Sequence, residues 1–394
     1  MTFSVDQLFV WLKHVLVGWF PADWAAGVSM VISSGTIIAV FATLFALTVL
    51  LERKGLGRIQ NRLGPNRVGP YGILQPAADG LKMLIKEDIV PEKADKVVHF
   101  LAPIVMLAPI LLSYTVLPFG RDMQALDLDA GVLFFFAVGS SAEVAVFMAG
   151  WSSRNKYTLL GALRGIAQMI SYEMPIVLST IVVVMMSGTL SLTDIVKGQE
   201  TALWGPLRLW HVFTPWGLLG FVLFLIAATA ESNRSPFDLP EGESEIIAGH
   251  MIEYSGFKYA IFFIGEYFGM FAISSLGITL FLGGYTAPFP FLDWVPTWLW
   301  FFLKLLALTV FFIWVRGTMP RLRMDQLLGF AWKFMMPLAV FNIVVAGVWF
   351  HTATLLPAVA RWGLCAAMIA AALFALGRAA AGRRYPKRVY RYAS

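Results

Sequence analysis

The sequence predicts an all-α fold, a polytopic membrane helix bundle of eight or nine transmembrane helices with short amphipathic interfacial helices. Three observations carry this. The 394 residues are 58% hydrophobic and only 14% charged, with a mean hydropathy of +0.72; a soluble domain needs roughly a quarter of its residues charged to cover its surface. Apolar runs long enough to cross hydrocarbon recur along the whole chain. The loops between them alternate between many and few Lys and Arg.

In chain order, Leu8–Phe20 is apolar but too short to span, which predicts an interfacial helix. Spans follow near 31–51, 97–117, 131–150, 159–187, 212–230, 259–283, 297–315, 334–351 and 355–377. The last is the weakest, because Arg361 interrupts it. The whole chain, 1–394, reads as a single integral membrane domain with no soluble domain appended.

The first connecting loop holds nine Lys or Arg, from Arg53 to Lys96, and the next only Arg121. Arg154 and Lys156 mark the third, Arg316, Arg321, Arg323 and Lys333 the seventh, and Arg378 to Arg391 the tail. The positive-inside rule then places the N-terminus outside and, with nine spans, the C-terminus in the cytoplasm. No cleavable leader is expected, since Asp6 precedes the first apolar stretch and no base comes before Lys13.

Composition excludes several functions. A single cysteine, Cys365, allows neither an internal disulfide nor a Cys-ligated iron–sulfur cluster. The five histidines show no i,i+4 pair, so no metal site is expected, and there is no Walker A or GxGxxG phosphate loop. The net charge of +6 resides in membrane-flanking loops and does not signal nucleic acid. No redox centre and no catalytic residue is legible.

Against this apolar background, residues 231–253 read ESNRSPFDLPEGESEIIAGHMIE: six carboxylates (Glu231, Asp238, Glu241, Glu243, Glu245, Glu253) and one arginine, Arg234. Glu143, Glu173 and Glu266 fall inside spans, at about 10, 20 and 10 Å from their inner ends at 1.5 Å per residue. Charge near hydrocarbon is costly and is retained chiefly where ions, protons or polar substrates pass. Acids outnumber available bases, which suits proton relay; the competing reading pairs them with Arg164 and Lys304 as helix-holding ion pairs. Asp238, Glu241 and Glu245 share one face if the stretch after Pro240 is helical. Pro175, two residues after Glu173, invites a bend or water.

The first loop, 52–88, carries two Gly-Pro pairs, predicting tight turns. Ile73, Leu74, Ala77, Leu81, Leu84 and Ile85 then recur at helical spacing, predicting an amphipathic helix on the membrane surface. Arg53, Arg62 and Arg67 offer donors to a polar headgroup, or to anionic lipid.

The strings LERKGLGRIQNRLGPNRVGPYGILQPAADGLKMLIKED (51–88), AGWSSRNKYTLLGALRGIAQMISYE (149–173), AESNRSPFDLPEGESEIIAGHMIEYSG (230–256) and WVRGTMPRLRMDQLLGFAWKFMMP (314–337) resemble the NADH dehydrogenase subunit 1 family, the H subunits of respiratory complex I. The resemblance covers 31–351. It implies a non-redox membrane subunit of a proton-translocating NADH:quinone oxidoreductase in a bacterial inner membrane, inactive alone. Its expected neighbours are hydrophilic-arm quinone-site subunits and small and antiporter-like membrane subunits. Quinone is the implied substrate; NADH, FMN and iron–sulfur clusters belong to the partners.

Carried onto this chain, the resemblance implies a quinone-channel wall including Glu52, Arg53, Gln60, Arg62, Arg67, Phe237 and Asp238. It implies a proton-coupling chain of Glu143, Glu173, Glu231, Asp238, Glu241, Glu243, Glu245, Glu253 and Glu266. The run 355–377 and the basic tail exceed many members of the family. The alternatives are the matching subunit of a ferredoxin- or hydrogenase-linked relative, or a stand-alone proton-coupled transporter. Transporters commonly show internal repeats, and none is visible here.

Overall fold

The computed structural model describes residues 5–201, 203–204, 207–240 and 247–381. Among the described residues, eight helices are long and apolar enough to cross a membrane. They contain or form α2 (Ala22–Ile59), α4 (Lys96–Ser113), the pair α5 (Gly131–Gly139) and α6 (Ser141–Ser152), α7 (Lys156–Ser187), α10 (Gly256–Phe281), α11 (Thr297–Thr318), the run α12 (Met324–Phe330) to α13 (Met336–His351), and α14 (Ala358–Ala381). The remaining expected span, 212–230, is α9 (Pro215–Glu231), whose 17 residues reach about 25 Å. Short helices complete the set: α1 (Leu8–Val17), α3 (Gln75–Ile85) and α8 (Leu192–Thr201), with a two-residue antiparallel strand pair at Leu203–Trp204 and Leu207–Arg208.

Each sequence expectation has a local outcome. The interfacial helix and the amphipathic helix form as α1 and α3, the latter with Pro76 in its first turn, where a missing N–H costs nothing. Gly69 and Gly72 take positive φ at the second Gly-Pro turn, and a Cβ on Gly72 would lie 2.3 Å from the Pro65 carbonyl oxygen. Pro175 does not interrupt α7, which continues to Ser187. The third span, by contrast, breaks at Ser140. A five-residue π turn, Ala331–Met335, joins α12 to α13, and the indole N–H of Trp332 within it bonds Ser171 of α7 at 3.2 Å. Arg361 is accommodated in α14 by stacking over Trp349, 4.1 Å from its ring centre. Glu241 and Glu245 of the expected helical face, and the basic tail from residue 382 onward, lie outside the described residues.

α7 is the central helix, packed against α6, α9 and α13, while α4 packs on α6 and α10. The loops gather on two faces. One carries residues 60–95, 153–155, 232–240, 247–255 and 319–323, and is here termed the basic face. The other carries 118–130, 188–201, 207–214 and 282–296. There Lys304 is buried, and its ammonium donates to the carbonyls of Leu282, Gly284 and Thr286 at 2.7–2.8 Å. Those are the carbonyls just past the end of α10, where a cation is favoured. Lys304 thus holds backbone and not a membrane carboxylate, which corrects the reading that paired it with the acids. Gln199, also buried, bonds Thr279 and Leu280 carbonyls through its amide and receives the His211 and Gly283 N–H groups on its oxygen.

Candidate functional site

On the basic-face side of the bundle lies a cavity of about 90 Å³ accessible to water, room for a small cluster of water molecules. Its walls come from α4 (Met106, Ile110), α5 (Phe135, Phe136), α7 (Met169, Glu173), α9 (Glu231) and α10 (Gly265, Glu266). Beside Glu266, Gly265 lets α4 pack close, since a Cβ there would lie 3.0 Å from the Met106 side chain. Glu143, one turn into α6, stands within electrostatic reach of Glu173 and Glu231, and Glu173 within reach of Glu231. Four of the acids singled out in the sequence therefore converge from four helices. Among the described residues, Glu143 Oε1 and Glu231 Oε2 are buried without a hydrogen-bond partner. Carboxylate oxygens with unfilled bonding capacity beside a water-sized cavity are groups that can exchange protons through internal water.

A second charged node adjoins it. Glu52, buried on α2, receives the Tyr267 hydroxyl at 2.5 Å and forms ion pairs with Arg234, at 3.3 Å, and with Arg316. The Arg234 guanidinium also stacks over the Tyr267 ring at 3.9 Å. Burial opposes the Arg234 charge, but Tyr267, Glu52 and Glu266 outweigh it and hold its pKa above the ordinary arginine value. Arg234 thus feels an acid of the node and an acid of the cavity at once.

The segment that joins the two is 231–237, and its shape is set by one side chain. Gln168 of α7, wholly buried, directs its amide nitrogen at the Ala230 carbonyl (2.7 Å), the Phe237 carbonyl (2.6 Å) and Asn233 Oδ1 (3.3 Å). The chain leaves α9 at Glu231 and turns back at Phe237, and this amide staples both ends. Asn233 adopts a positive φ within the turn, and the Phe237 ring packs on Tyr172 at 5.5 Å. Farther along, a Cβ on Gly161 would sit 2.6 Å from the Gly249 Cα, so only glycine lets the 249–251 turn lie against α7. That turn buries His250, whose ring nitrogens find no partner among the described residues; desolvation pushes its pKa down to about 4.

The other candidates scatter. Arg53 pairs with Asp79 of α3 at 2.5 Å in a half-exposed setting, and Arg62 donates to Gln60 at 2.7 Å. Gln60, Arg62 and Arg67 lie exposed on the basic face. Asp238 is half-buried beside Phe237. Glu253 accepts from Asn155 at 2.7 Å in a surface recess with Lys93 and Arg154, apart from the cavity lining. Glu241, Glu243 and Glu245 lie outside the described residues. The sequence did not flag Arg316, Tyr267 or Gln168. Arg316 served there only to set topology, and the other two are neutral residues inside apolar runs. Their signal is three-dimensional: each meets a partner more than sixty residues away in sequence.

The fold and the site define a class: a multi-pass helical membrane protein whose internal acids gather around a small cavity. The family model described as NADH dehydrogenase matches residues 32–347, and the chain belongs to that family. It is similar to the H subunit of NADH-quinone oxidoreductase from Dehalococcoides mccartyi (strain CBDB1), 49% identical over 75% of this chain and 80% of the relative. The Brevibacillus brevis protein of that name is 43% identical over 83% and 94%, and that of Polaromonas naphthalenivorans 41% identical over 88% and 98%. The resemblance drawn from the motifs is thereby borne out.

Proposed function

We propose that this chain is the channel-forming membrane subunit of a proton-translocating NADH:quinone oxidoreductase, walling the quinone channel and linking quinone reduction to proton movement. The basic face is cytoplasmic and meets the hydrophilic arm, whose partners hold the NADH, FMN and iron–sulfur sites; small and antiporter-like subunits flank it in the bilayer. Glu52, Arg53, Gln60, Arg62, Arg67, Phe237 and Asp238 belong to the channel wall. Glu143, Glu173, Glu231, Asp238 and Glu266, continued by Glu241, Glu243, Glu245 and Glu253, form the coupling chain.

The observation that carries this reading is the short span between the two charged sites. Glu231 ends α9 in the cavity wall, and Arg234, three residues on, grips Glu52. Quinone reduction consumes protons and alters the charge beside Glu52. Because Arg234 is shared with Glu266, a change in its hold on Glu52 alters the field on the cavity acids. The test is Glu231→Gln in the purified complex, measuring protons moved per quinone reduced. At least a halving is expected with assembly intact; an undiminished ratio in assembled complex would reject the coupling role.

A further inference from the structure

α1 lies outside the region that the family model matches, yet it is anchored like a core element. Asp6, just before it, accepts the Thr297 backbone N–H and hydroxyl, both at 2.6 Å, at the first turn of α11. Gln7 donates to Asp122 at 3.4 Å, and the Phe9 ring meets Trp298 edge-on at 5.4 Å. At its other end α1 turns directly into α2 through residues 18–21. Held at both ends, α1 stands off the bundle as a strap.

Behind the strap is a cavity of about 330 Å³, bounded by α1, residues 32–37 of α2 and the loop 119–125. Phe9, Leu12, Leu16, Ile37 and Phe119 make most of its lining apolar. Lys13 and His14 supply cationic or polar groups, and neither has an ion-pair partner among the described residues. Asp122, the acid in the lining, accepts from Gln7. Trp11, Trp19, Trp24 and Trp294 are exposed on the same face, and exposed tryptophans gather where headgroups meet hydrocarbon. An apolar recess at that depth faces acyl chains, and a lysine on its lining can lay its stem along the chain and keep its ammonium at the headgroup.

We propose that this recess binds one phospholipid of the leaflet at the amino-terminal face, an acyl chain behind α1 and the phosphate against Lys13 and His14. The lipid fills the gap that keeps α1 off α2 and completes the strap. The site is independent of the quinone and proton reading.

The test uses the full chain in detergent, titrated with 1-palmitoyl-2-oleoyl-phosphatidylglycerol or with the diacylglycerol of the same chains, and reads the first bound lipid by native mass spectrometry. The phospholipid should bind about tenfold tighter than the diacylglycerol. Lys13→Gln, a change that leaves the apolar lining intact, should erase most of that difference. Val10→Trp, which fills the recess, should weaken the first binding of both lipids. If Lys13→Gln leaves the tenfold preference, or the filled variant binds as the native chain does, the proposal is wrong.

Discussion

Two buried glutamines define the difference between the faces of this molecule. Gln199, on the face opposite the basic loops, uses both ends of its amide: nitrogen to the end of α10, oxygen to the His211 and Gly283 N–H groups. Gln168, near the basic face, uses only its nitrogen, and its oxygen is buried without a partner among the described residues. The charges follow the same division. Lys304 has three carbonyls for its three protons, whereas Glu143 and Glu231 each leave an oxygen unmatched. A fully satisfied polar group fixes structure; a partly satisfied one beside a cavity keeps capacity for water, protons or a second arrangement. Lys304 and Gln199 thus pin the end of α10 with matched groups, whereas Glu143, Glu231 and Gln168 keep unmatched oxygens.

The largest effect that could break this contrast is at Lys304. Lys304→Met keeps the stem but leaves three inward carbonyls without their donor, at about 1–3 kcal/mol for each carbonyl that finds no substitute. A fall of several degrees in the thermal midpoint of the detergent-solubilised chain is expected, and Glu173→Gln should not reproduce it. If both lower the midpoint equally, the acids are structural and the contrast fails.

A middle-sized effect separates the glutamines. Gln199→Ala strands two donors and the Thr279 carbonyl, while the Leu280 carbonyl keeps the His211 ring nitrogen, and should cost about 2–4 kcal/mol of global stability. Gln168→Ala frees the two ends of one loop, so hydrogen exchange should rise within 230–237 while the bundle stays protected. A global loss from Gln168→Ala would show that the turn is a pillar and not an adjustable link.

How far the sequence foretold these sites depends on what kind of order made them. Span positions were legible because hydrocarbon demands long apolar runs, and the acids stood out because such runs tolerate few. That Glu173, Glu231 and Glu266 line one cavity, with Glu143 within electrostatic reach of the first two, required the packing of four helices, which periodicity does not encode. Lys304 misled for the same reason. A lone cation in a span suggests a carboxylate, yet backbone carbonyls at the end of a neighbouring helix served it equally well. The break at Ser140 was hidden too, since GSSAE sits inside an unbroken apolar stretch.

The smallest effect is a pH dependence at the margin of the adjustable region. His250 is buried in the turn that follows the acidic segment, and burial lowers its pKa from 6.5 to about 4. The ring is therefore neutral when packed, and an opened turn binds the proton more readily. Its contribution to packing is full above pH 6.5 and is lost progressively as pH falls toward 4. Between pH 6.5 and 5.5 the opening of residues 247–255 should grow about fivefold, and the slope approaches tenfold, about 1.4 kcal/mol, per unit only nearer pH 5. Hydrogen exchange, corrected for its intrinsic pH dependence, reads this directly, and His250→Phe should flatten it while the Gln199 clamp keeps its protection at both pH values. A slope that survives in His250→Phe would assign the titration to another group and remove this histidine from the adjustable face.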